Sequence, residues 1–134
     1  MSSVVSYLGN LRTESIHVTS NDKIVTDAPL DNNGKGEAFS PTDLVASSLS
    51  SCILTVIGIV SSKIKYDLMN TKSSVKKIMG DKPRRIVEIV VKIEFSKSAD
   101  SKTKTIIEKT ALNCPVAKSL HPDIKQNISF IWPD

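Results

Sequence analysis

The chain has 134 residues, 40% hydrophobic and 24% charged, which is ordinary usage for one globular domain. That balance excludes a disordered chain, and 5 glycines and 6 prolines exclude collagen-like or linker sequence. The formal charge of +4 is spread among acids and the aromatic share is 4%, so the clustered basic face with stacking aromatics that a nucleic-acid partner needs is absent from the sequence.

In chain order, residues 3–8 read as a first strand. Gly9-Asn10 is a two-residue hairpin signal, because both residues tolerate positive φ. Residues 11–18 return as a second strand, Ser20-Asn21-Asp22 turns the chain, and residues 23–27 form a third. Residues 28–39 carry Pro29, Asn32, Asn33, Gly34 and Gly36 and read as a long loop, a length that is often functional. Ser40-Pro41-Thr42-Asp43 is a helix start: Ser40 caps, Pro41 sits where its missing N–H is not needed, and Asp43 completes a capping-box-like pair. The helix runs from Leu44 to about Lys63, with no charge between 44 and 62. It is nearly long enough to span a bilayer, but its first half is rich in serine, so we read it as the buried central helix of a domain and expect no membrane partner.

Residues 70–79 read as a strand with lysine-rich edges, and Gly80-Asp81-Lys82-Pro83 as a turn. Residues 86–95 alternate cleanly, with Val87, Ile89, Val91, Ile93 and Phe95 on one face. Residues 101–112 have helical spacing. Asn113-Cys114-Pro115 interrupts that helix, since the residue before proline leaves the α region. A short helix over 115–120 and a strand over 124–132 complete the chain. The order β-β-β-α-β-β-α-α-β argues an α+β fold, an antiparallel-rich sheet with helices on one side, in a single domain over 1–134.

Two cysteines are too few for a disulfide scaffold, and the N-terminus lacks a charged segment followed by an apolar one. We therefore expect a cytoplasmic protein, whose cysteines are inert core residues or a redox pair. Cys52 lies mid-helix among Ser48, Leu49, Thr55 and Val56, with no cation at helical spacing; read locally it is a core thiol. Cys114 precedes Pro115 at a helix start, where N–H groups would lower its pKa; read locally it is the more reactive one. His17 and His121 match no zinc spacing with these cysteines, and Asn33-Gly34-Lys35-Gly36 lacks the phosphate-loop spacing, so no metal and no cofactor is expected.

The run Gly36-Glu37-Ala38-Phe39-Ser40-Pro41-Thr42-Asp43-Leu44-Val45-Ala46, with Cys52 on the same helix, resembles the OsmC/Ohr family of osmotically inducible and organic hydroperoxide resistance proteins. Cys114-Pro115-Val116-Ala117-Lys118-Ser119-Leu120 is similar to its second mark. The resemblance covers essentially the whole chain. It implies an intertwined homodimer with the central helices at its heart. It also implies a thiol peroxidase that takes hydroperoxides as substrates and an external dithiol as reductant. By the same resemblance Cys52 is the peroxidatic nucleophile and Cys114 resolves its sulfenic acid as a disulfide. Arg12 matches the Arg that holds the nucleophile. The hydroperoxide reductases carry Glu directly after the proline. Here that residue is Thr42, and the acid follows at Asp43, about 100° further round the helix. Two other classes remain open at this point: a non-catalytic redox-sensing or thiol-binding dimer, and a ligand-binding module whose cysteines only pack.

Overall fold

The computed structural model describes residues 1–133. Six strands and three α-helices follow the expected order: β1 (Ser3–Gly9), β2 (Arg12–His17), β3 (Lys23–Asp27), α1 (Pro41–Lys63), β4 (Lys72–Gly80), β5 (Arg85–Glu94), α2 (Ser101–Ala111), α3 (Pro115–Ser119) and β6 (Lys125–Ile131). The strands form two three-stranded sheets, ordered β1-β2-β3 and β4-β5-β6. Three of the four pairings are antiparallel; β5–β6 is parallel, with α2 and α3 in the crossover. The chain divides into two compact units, Met1–Val45 and Ala46–Asp134.

In the first unit the hairpin turn lies one residue beyond the expected Gly9-Asn10. Gly9 pairs with Arg12, so Asn10 and Leu11 form the two-residue loop, with φ of 53° and 63°. Both central positions of this turn type need positive φ. A register shift between Tyr7 and Gly9 absorbs the displacement. The loop after β3 includes a 3-10 turn at Leu30–Asn32 and folds back on Ala28, whose carbonyl accepts the Gly36 N–H at 3.1 Å. Any side chain at Gly34 would strike the Ala28 carbonyl, so glycine is required there. The capping box forms as expected: the Asp43 carboxylate accepts the Ser40 N–H and Ser40 Oγ accepts the Asp43 N–H, both at 3.0 Å. The buried residues of this unit are Thr26, Asp27 and Ser40, all polar; Val4, Val5, Tyr7, Leu8 and Ile24 are exposed.

The second unit holds the apolar core. One stripe of α1 (Ala46, Leu49, Ile53 and Ile57) packs with Ile89, Val91, Ile93 and Phe95 of the β5 segment and Ile107 and Ala111 of α2. The spacing of three and four along α1 is what puts these residues on one face. The opposite face, with Ser51, Thr55 and Ile59, is open, so within one chain α1 is buried on one side only. It is long and apolar enough to cross a membrane by length and composition. Of its most apolar stretch 33% is buried inside the chain. Phe95 also stacks on Trp132 at 3.7 Å between ring centroids, closing one end of the core.

Candidate functional site

Cys52 and Cys114 are both free thiols of the second unit. Cys52 is half-buried on α1, among Ile53, Val56 and other residues packed against the core. Cys114 is fully buried and caps α3, where its Sγ accepts the Ala117 N–H at 3.3 Å. Pro115 fixes the first residue of that helix and forces Cys114 into the extended conformation of a cap, with φ −74° and ψ 154°. Cys52 is near enough to Cys114 to act on its titration.

Cys114 departs from the local expectation in one respect. Its pKa is raised, not lowered. Burial is the first cause; the Ala117 N–H opposes it, and Cys52 raises it further. The physical reason is size: α3 has five residues, too short for a strong terminal field, while the thiol is wholly removed from water. Cys114 is the more deeply buried of the two thiols, and Cys52 keeps part of its surface accessible.

Arg12 and Asp43, the other site residues expected from the sequence, belong to the first unit and are both engaged there. Arg12 faces Asp27 directly across β2 and β3. Its guanidinium donates through Nε to one Asp27 oxygen at 2.7 Å and through a terminal nitrogen to the other at 2.8 Å. Glu37 lies 3.6 Å from the same guanidinium, and its own N–H donates to Asp27 at 3.1 Å. Arg12 holds the Asp27 carboxyl below the usual aspartate range, and Asp27 in turn raises the Arg12 pKa. These residues, with Leu8, Gly9, Asn10 and Lys35, line a cleft of about 180 Å³. Asp43 accepts the Ser40 N–H in the capping box. Asp27 was missed in the sequence, where it reads as a strand end. The usable signal was a cation and an anion at the two facing ends of one predicted strand pair.

His17 pairs locally with Ser20, and the His121 ring accepts the Asp123 N–H, each within its own turn. Among the described residues no cluster of three or more His, Cys, Asp or Glu could hold a metal.

No curated protein matches the chain. Solved structures do. A protein from Psychrobacter arcticus named for osmotic stress induction and detoxification response is 52% identical, covers 97% of this chain and 95% of its own, and superposes with a TM-score of 0.94. An organic hydroperoxide resistance protein from Legionella pneumophila (14% identity, 98% and 97% covered, TM-score 0.76) shares the fold. So does one from Elizabethkingia anophelis solved with thiocyanate bound (14% identity, 99% and 97% covered, TM-score 0.76). The family model described as OsmC-like protein matches residues 34–129, from the loop before α1 into β6. The chain belongs to the OsmC-like family.

Proposed function

We propose that this chain is a cysteine-based peroxidase that reduces organic hydroperoxides. The observation that carries the reading is the thiol pair: a half-buried Cys52 on α1 and a fully buried Cys114 at the cap of α3, both free and both packed into one apolar core. The occurrence of organic hydroperoxide resistance proteins on the same fold supports it.

The Cys52 thiolate attacks one oxygen of the peroxide. An S–O bond forms, the O–O bond breaks, and the leaving alkoxide takes a proton as the alcohol. The Cys114 sulfur then attacks the Cys52 sulfenic acid. The S–S bond forms, the S–O bond breaks, and hydroxide leaves with the Cys114 proton as water. An external dithiol supplies two electrons and resets the pair by exchange. The apolar residues flanking Cys52 suit an organic tail better than a charged one. A homodimer belongs to the same reading.

The test is stoichiometric. Reduced protein receives one equivalent of cumene hydroperoxide, free thiols are counted, and the link is mapped by non-reducing peptide mass. Rapid loss of both thiols to a Cys52–Cys114 disulfide is expected. Cys114→Ser should stop at a trappable sulfenic acid, and Cys52→Ser should not react. Two thiols still free after peroxide treatment would overturn the proposal, and sulfenic acid on Cys52→Ser alone would reverse the two roles.

A further inference from the structure

β6 breaks its own pattern. Its alternation sets Gln126, Ile128 and Phe130 on the half-buried side, with Lys125, Asn127, Ser129 and Ile131 exposed. Ile128 and Phe130 pack against the core, and an aliphatic residue at 126 would continue that face. An amide in such a place needs a polar partner to offset its desolvation. Gln126 has one: its Nε2 donates to the Ala117 carbonyl at 2.9 Å.

Ala117 is the residue whose N–H donates to Cys114 Sγ. It is therefore held at its carbonyl by β6 while it holds the thiol through its nitrogen. α3 is far shorter than a helix that stands by itself, so its place is set by the groups that tie it down. The anchor end is firm, because Gln126 pairs in register with the fully buried Ile89 of β5.

We propose that Gln126 is a positioning residue for disulfide closure, fixing α3 and through it the Cys114 sulfur that meets Cys52. This rests on the peroxidase reading above. The step concerned is attack by Cys114 sulfur on the Cys52 sulfenic sulfur. Misplacing an attacking atom slows such a step steeply, while the earlier reaction of Cys52 with peroxide does not pass through α3.

The test compares Gln126→Met, which keeps the volume and removes the donor, with Gln126→Asn, which keeps the amide but falls short of the carbonyl. Ser129→Ala, on the exposed side of β6, serves as a control that changes the strand away from the face carrying Gln126, and thermal unfolding confirms that each variant is folded. After one equivalent of cumene hydroperoxide, quenched samples are split between a dimedone trap and non-reducing peptide mass. Both Gln126 variants should accumulate Cys52 sulfenic acid and close the disulfide about tenfold more slowly. The control should close as the wild type does. A second arm needs no peroxide: in a Cys52→Ser background, Gln126→Met should speed alkylation of Cys114. Wild-type closure in both Gln126 variants, or closure slowed equally in the control, would overturn the proposal. If the wild type forms neither sulfenic acid nor disulfide, the peroxidase reading fails, and the alkylation arm decides by itself whether Gln126 positions Cys114.

Discussion

Asp27 keeps its charge in a nearly dry place because three donors converge on it: two from Arg12 and the N–H of Glu37. A carboxylate whose folded pKa is depressed adds stability above its unfolded pKa and loses it as the pH falls through the folded value. The contribution of Asp27 is thus present at neutral pH and disappears on acidification below the ordinary aspartate range. Thermal unfolding followed from pH 7 downward should show this loss in the wild type. Asp27→Asn should unfold earlier at pH 7 and lose less on acidification; equal slopes would show that the pair is not linked to folding. Sequence reading offered a cation and an anion at the ends of two adjacent strands, but not the register that pairs them. Arg12 and Asp27 face each other only in the observed register, and strand pairing moves every side chain to the other face when it slips by one residue. Gln126 was hidden in the same way, since nothing local tells an inward glutamine from an outward one. The two cysteines were visible at once, but their roles were not. Local rules ranked Cys114 as the more reactive thiol, the family resemblance ranked Cys52 first, and the burial of Cys114, which raises its pKa, removes the local argument for Cys114.

The start of α1 shows how far a local motif carries. Ser40, Pro41 and Asp43 were readable because capping needs only neighbours in sequence. Both reciprocal bonds are made, and Ser40 is buried, so water cannot take over from a lost cap. Ser40→Ala should cost about 1 kcal/mol, toward 2 if the vacated space stays dry, measured as a shift of the urea midpoint at constant m-value. A change below the error of that measurement would mean that Asp43 caps the helix unaided. The same helix also shows where pattern reading stops. Its length, its missing charges and its buried stripe were all legible, but the open face of Ser51, Thr55 and Ile59 was not. An uncharged sequence reads as buried all round, and which side the chain covers depends on where the β4-β5-β6 sheet and α2 lie. The hairpin between β1 and β2 is the converse case. Gly9-Asn10 was the better local signal, yet the loop is Asn10-Leu11, because pairing of the strands outweighs the cost of positive φ at one leucine.

At the scale of the molecule the two units are unlike. The second has a continuous apolar core, whereas the first buries only Thr26, Asp27 and Ser40 and exposes Val4, Val5, Tyr7 and Leu8 along β1. A three-stranded sheet with no apolar side chain buried has little to offset the entropy of ordering it. On α1, Ile59 is 55% exposed on a face that carries no charge from Leu44 to Ser62. An uncharged helix face left open by its own chain has room for a second surface. Under the homodimer reading the occupant is a second copy, and the consequence is measurable. The wild type should sediment at twice the chain mass across a broad range of concentration. Ile59→Glu places a charge on the open face and removes nothing from the core. It should shift the equilibrium toward single chains, with a concentration-dependent loss of thermal stability that the wild type lacks. A wild type that sediments at the chain mass would end the dimer reading and leave the exposed β1 face without its second copy. A dimeric Ile59→Glu would move the interface off this face of α1 and onto the first unit.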